Sequence, residues 1–148
     1  MARSAKPIPE GLRTVTPQIV VADGKRTLEF LGKAFGAETL HSMPGPDGKG
    51  VMHAAVRLGD CTLFVSDAGG FAKPTAANLF VYVADVDAAY KRATDAGAKP
   101  IVPVSDMFWG DRWGMVEDPS GNRWQLATHV EDVPPGEMAA RMAAAAKK

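Results

Sequence analysis

The sequence predicts an α+β fold built from two tandem βαβββ modules, and three observations predict it. The order strand, helix, three strands occurs twice, landmark residues recur at one fixed period, and each module closes with two strands joined by a tight turn. The apolar sheet faces of two such modules bury each other when paired, leaving a curved mixed sheet around a central cup that can hold a ligand.

Residues 1–13 carry Pro7, Pro9 and Gly11 and are expected to form an irregular lead-in. Residues 14–66 are the first module. Thr14 to Val21 reads as a strand, and Pro17 places it near a sheet edge, because proline has no N–H for the ladder. Asp23 is a helix cap, Leu28, Leu31, Ala34 and Phe35 keep helical spacing, and Gly36 ends the helix. Glu38 to Met43 comes next, then the turn-rich PGPDGKG. The strands Val51 to Leu58 and Cys61 to Ser66 follow, joined at Gly59-Asp60.

Residues 67–77, small and proline-containing, read as a connection, and residues 78–129 as the second module. Asn78 to Val83 is a strand. Asp85 caps a helix carrying Val86, Ala89, Tyr90 and Ala93, which Gly97 ends, and Lys99 to Val104 is the next strand. Ala22-Asp23 returns as Ala84-Asp85 at an offset of 62, Gly36-Ala37 as Gly97-Ala98 at 61, and Asp60 aligns with Gly121 at 61. Landmarks in three different elements thus keep one register, as a repeated unit requires.

Asp106 to Thr128 holds all three tryptophans and is expected to be two strands turned by Asp118-Pro119-Ser120-Gly121. Trp109, Trp113, Trp124, Phe108, Phe64 and Met52 are candidates for an apolar, stackable lining, with Arg112, Asn78 and Gln125 as polar handles. Parity sets Trp113 and Asp111 on one face and Arg112 on the other. The same tryptophans also suit a core or a subunit interface. Residues 130–148 form an alanine-rich tail that reads either as a docking helix or as a frayed end.

Seventeen basic and seventeen acidic side chains give no net charge, which argues against nucleic acid or an anionic membrane as partner and leaves a small molecule or a protein. Cys61 is the single cysteine, so an intrachain disulfide and a cysteine-built zinc site are excluded, and its surroundings suggest a packing role. The opening MARSAKPIPEGL lacks the apolar core of a signal peptide, and no run reaches the length of a membrane span. A cytoplasmic protein is expected.

VTPQIVV with RTLEFLGKAFGAE, VMHAAVRLGDCTLFVSD, VYVADVDAAYKRATDAGAK and FWGDRWGMVEDPSGNRWQLATHVED together resemble the vicinal oxygen chelate superfamily, the glyoxalase, bleomycin-resistance and extradiol dioxygenase group, and within it the PhnB-like branch. The resemblance spans about Thr14 to Asp132. It implies a homodimer and a metal held by His or Glu from the first and last strands of each module. The periodicity places those positions at Thr16, Phe64, Asn78 and Gln125, none of which is a histidine or a carboxylate. Neutral oxygens and a phenyl ring are a poor donor set for Lewis-acid chemistry, so no metal and no cofactor are expected.

His53, mid-strand in VMHAAVRL, is the remaining candidate for catalysis, since imidazole can act as acid or base near neutrality; a structural histidine is the alternative. His41 is expected on the outer side of its strand and His129 at the surface. The expected function is binding of a small aromatic or amphipathic molecule, with Thr16, Phe64, Asn78, Trp109, Arg112, Trp113, Trp124 and Gln125 as ligand-binding residues. The alternatives are a metal-dependent lyase, isomerase or dioxygenase with a displaced site, a metal-free acid–base enzyme using His53, and an interaction module pairing through the aromatic hairpin.

Overall fold

The computed structural model describes residues 6–70 and 72–148. Residues 1–5 of the expected lead-in and Phe71 of the expected connection lie outside the described residues. The chain divides into two compact units, residues up to Ala77 and residues from Asn78 onward.

In the first unit β1 (Gln18–Val21) is followed by α1 (Gly24–Phe35), β2 (Glu38–Met43), β3 (His53–Leu58) and β4 (Cys61–Asp67). The sheet order is β1-β4-β3-β2, with β1 parallel to β4 and the other pairs antiparallel. β1 is an edge strand and starts at Gln18. Pro17 has no N–H to add to the ladder, although its carbonyl accepts from Phe64 N at 2.8 Å. Asp23 caps α1 through Arg26 N at 3.1 Å, and Gly36 stops it at φ 66°, a left-handed conformation that glycine adopts without a Cβ penalty. One sheet face turns Ile19, Val21, Ala54, Val56, Leu63 and Val65 onto Phe30, Leu31 and Ala34 of α1, all at most 6% exposed. Each large aliphatic side chain so buried contributes about 1.5–3 kcal/mol.

The second unit repeats the scheme. β5 (Asn78–Tyr82) precedes α2 (Val86–Asp95), β6 (Lys99–Asp106), β7 (Asp111–Glu117) and β8 (Arg123–His129) in sheet order β5-β8-β7-β6, and α3 (Pro135–Ala146) follows. Asp85 caps α2 through Ala88 N at 3.0 Å. Thr128 Oγ1 ties the start of α2 to the sheet, accepting from Val86 N and donating to Val83 O. Val86, Ala89 and Ala93 of α2 are buried together with Val116, Trp124 and Leu126 of the sheet. The repeat holds at the level of pairing. Gln18 faces Phe64 as Phe80 faces Gln125, so both partners keep the offsets of 62 and 61.

Two differences from the expected elements have clear causes. β6 runs on to Asp106 but loses register between Pro100 and Val102 and again between Val102 and Ser105, where Pro100 and Pro103 cannot donate. β7 begins only at Asp111, so Phe108 and Trp109 sit in the β6–β7 turn, which Met107 N→Asp111 O and Gly110 N→Met107 O close. The tail is a helix: α3 has no buried residue and is held by Arg141, whose guanidinium donates to both carboxylate oxygens of Glu131. Among the described residues no helix is long and apolar enough to cross a membrane.

Candidate functional site

The second unit presents a sheet face opposite α2 whose side chains form rows across β5, β8 and β7. Pairing of Asn78 with Arg123 and of Glu117 with Arg123 makes a polar row. Phe80, Gln125 and Met115 make the next, Tyr82, Ala127 and Trp113 the third, and His129 with Asp111 the last. Phe80 is 44% and Tyr82 62% exposed, their rings 5.1 Å apart. Trp113 lies 5.9 Å from Trp109, which in turn meets the Phe108 ring edge-on at 5.2 Å. Part of an aromatic surface is therefore open to a ligand.

Amides cross this face as a chain. Trp113 Nε1 donates to Gln125 Oε1 at 3.2 Å, and Gln125 Nε2 donates to Asn78 Oδ1 at 3.0 Å. At the other end Asp111, 2% exposed, accepts from Trp109 Nε1 at 2.9 Å and Tyr82 Oη at 3.0 Å, and its second oxygen lies 2.8 Å from His129 Nδ1. Burial alone would raise the Asp111 carboxyl, but the hydrogen bonds from His129, Trp109 and Tyr82 outweigh it and hold the group below the ordinary carboxylate range. His129 is raised, first by Asp132 on Nε2 at 2.8 Å and then by Asp111. Tyr82 is raised by donating to Asp111.

The first unit carries a cavity of about 340 Å³ on the sheet face opposite α1. His53 and Phe64 meet edge-on at 4.6 Å, and His41 lies 5.7 Å from His53. Ala55 and Thr62 continue the floor, and Leu12, Leu40 and Pro9 close the sides. Thr62 Oγ1 donates to Gly11 O, which fastens the lead-in over this face. The lead-in thus joins the lining, a role its irregular composition did not announce.

The expected site residues separate into three groups. Asn78, Trp113 and Gln125 come together on the second unit's face with Trp109 nearby, while His53 and Phe64 share the cavity of the first unit. Trp124, Arg112 and Thr16 lie apart from both of these groups. Trp124 is 1% exposed on the α2 side of the sheet, its Nε1 donating to Asp118 Oδ2, because β8 turns alternate residues to opposite faces. Arg112 shares that side and is engaged by Asp87 of α2 at 2.7 and 2.8 Å and by Asp106 at 3.1 Å. Thr16 precedes β1 and its hydroxyl donates to Arg13 O.

His41 is corrected. The register shift between Thr39 and His41 turns it to the cavity side, and only an anticipated bulge would have revealed this. Sequence reasoning missed the Asp111, Tyr82 and His129 cluster. Parity placed Asp111 on the face of Trp113, but no spacing in the sequence brings Tyr82 and His129 to it.

The residues at the four metal-ligand positions do not fit a divalent ion. Phe64 offers no donor atom, the Thr16 hydroxyl is turned to a backbone carbonyl, and the Asn78 and Gln125 oxygens already accept hydrogen bonds. Among the described residues no three His, Cys, Asp or Glu side chains gather as a metal cluster.

Comparison with known proteins agrees with this architecture. Residues 13–126 match the Glyoxalase/Bleomycin resistance protein/Dioxygenase superfamily. The chain is 37% identical over 139 residues to Mb0911c of Mycobacterium bovis, covering 86% of this chain and 91% of that protein, and equally identical to Rv0887c of Mycobacterium tuberculosis, of which it covers 81%. Among solved structures, TioX from Micromonospora sp. ML1 is 26% identical with a TM-score of 0.68, over 80% of this chain and 99% of that one. TnmS3, an antibiotic binding protein from Streptomyces sp. CB03234, shares the fold at 23% identity and a TM-score of 0.62, over 86% and 99% of the two chains.

Proposed function

The chain belongs to the glyoxalase, bleomycin-resistance protein and dioxygenase superfamily, and from that membership we propose that it is a binding protein for a small aromatic or amphipathic molecule, working without the family metal. The observation that carries this reading is the half-open aromatic face of the second unit, where Trp113, Phe80 and Tyr82 stand beside the Gln125 and Asn78 amides. Aromatic rings supply most of the contact area at little entropic cost, and a few fixed polar groups orient the ligand. TnmS3, a protein of the same fold, is an antibiotic binding protein, which is consistent with small-molecule binding. The same proposal takes the chain as a PhnB-like, cytoplasmic homodimer with no nucleic-acid or membrane partner.

The test is a titration of tryptophan emission with bicyclic aromatics such as 1-naphthol and indole. Saturable quenching is expected in the wild type and in Trp124→Phe, and loss of most of it in Trp113→Phe. Equilibration with zinc, nickel, manganese or iron should leave the melting temperature unchanged. A stoichiometric metal that raises it would return the chain to the lyases, isomerases and dioxygenases.

A second reading has its own observation, the His53 and His41 pair in the first unit's cavity. Two imidazoles within one apolar pocket can pass a proton to and from a bound molecule. Here His53 is the acid–base group, Phe64 packs against its ring, and His53→Ala should abolish any turnover while leaving aromatic binding intact.

A further inference from the structure

The hydrogen-bond chain on the second unit's face has a direction, and that direction specifies a chemical group on the ligand. An indole N–H can only donate, so Trp113 Nε1 at 3.2 Å fixes the neighbouring Gln125 atom as the oxygen. Gln125 Nε2 must then point onward, and the Asn78 atom 3.0 Å from it is in turn fixed as the oxygen. Amide orientation is ordinarily ambiguous, but a donor-only residue at one end removes the ambiguity for every amide down the chain. The far end is Asn78 Nδ2, carried by an exposed residue and donating to none of the described groups.

We propose that Asn78 Nδ2 is the specificity-determining contact of this face and that it recognises a neutral carbonyl oxygen on a flat aromatic ligand; this rests on the binding reading above. A donor-only terminus discriminates against ligand groups that also only donate. Arg123 beside Asn78 is paired with Glu117 at 2.8 Å, so its charge is balanced and the Glu117 carboxylate disfavours a second anion, which leaves a neutral acceptor. Ring atoms of the same ligand rest on Phe80, one register step from Asn78 along β5. Gln125 acts through Asn78 and is a positioning residue.

The experiment compares indane, 1-indanone and 1-indanol by protein-observed NMR titration of the full chain. Wild-type protein should bind 1-indanone about tenfold more tightly than indane, about 1.4 kcal/mol, with the Asn78 side-chain amide protons shifting for the ketone and not for indane. Asn78→Asp removes the donor and should bring the ratio of 1-indanone to indane affinity down to about one. Gln125→Glu is the sharper variant. Its carboxylate still accepts from Trp113 but can no longer donate, so the Asn78 amide turns over to present its oxygen, and the preference should pass from 1-indanone to the hydroxyl donor of 1-indanol. A merely structural Gln125 would give no such inversion. Equal affinity of wild-type protein for indane and 1-indanone would overturn the inference while leaving aromatic binding standing. Binding of none of the three would overturn the binding reading, and this inference with it.

Discussion

His129 Nδ1 lies 2.8 Å from Asp111 Oδ1, joining a half-exposed imidazole at the end of β8 to a carboxylate buried at the start of β7. His129 is raised, by Asp132 first and Asp111 second, so its contribution to stability is full below the ordinary imidazole value of about 6.5 and is lost as pH rises through its higher folded value. Asp111 is lowered, so its contribution holds above the ordinary carboxylate value of about 3.9 and is lost as pH falls through its folded value. Urea denaturation of wild type and His129→Gln should therefore show the widest stability gap near pH 6, narrowing steadily toward pH 9. A gap independent of pH would mean that the pair carries no charge coupling.

Asp118 ends the β7–β8 strand pair as a buried acceptor. Its Oδ1 takes Ser120 N and Asn122 N, and its Oδ2 takes Asn122 Nδ2 and Trp124 Nε1, all within 3.0 Å. Asp118→Ala strands several of these donors away from water and should cost roughly 2–4 kcal/mol. Asp118→Asn keeps one oxygen and should lose about half as much. Equilibrium unfolding of the two variants checks the order, and equal, small losses would show that water replaces the carboxylate.

Much of this was legible in the sequence, and for definite reasons. The caps Asp23 and Asp85, the stop at Gly36 and the 61–62 offset all express local chemistry, which short stretches of chain carry by themselves. Parity along β7 correctly parted Trp113 from Arg112. The same rule applied across the turn would have sent Trp124 to the α2 side, since Trp124 faces Val116 and not Trp113. His41 escaped because one bulge inverts parity downstream of it. The Asp111 cluster escaped because Tyr82, Trp109 and His129 converge from β5, the β6–β7 turn and β8, a meeting set by sheet order and invisible to spacing.

Gly114 of β7 lies against the Tyr90 ring of α2. A Cβ placed there would sit 2.9 Å from Val104 Cγ2 and 3.1 Å from two atoms of the Tyr90 ring. Gly114→Ala should thus overpack this contact and cost about 1–3 kcal/mol. Adding Val104→Ala removes the nearer atom and should recover part of the loss. Thermal melts of the single and double variants measure it, and additive destabilisation would place the strain elsewhere.

Trp124 and Trp113 sit on opposite faces of one sheet, and their fluorescence should report this separately. Trp124 is 1% exposed, whereas Trp109 and Trp113 are half-buried. A Trp109→Phe, Trp113→Phe double variant leaves Trp124 alone and should emit at short wavelength with acrylamide quenching reduced several-fold from wild type. Trp124→Phe should instead retain red-shifted, readily quenched emission. It should also lose about 1–3 kcal/mol of stability, because phenylalanine underfills the indole site and leaves Asp118 Oδ2 one donor short. If the double variant were quenched as readily as wild type, Trp124 would be open to solvent, and the assignment of the ligand face to Trp113 and the core to Trp124 would be reversed.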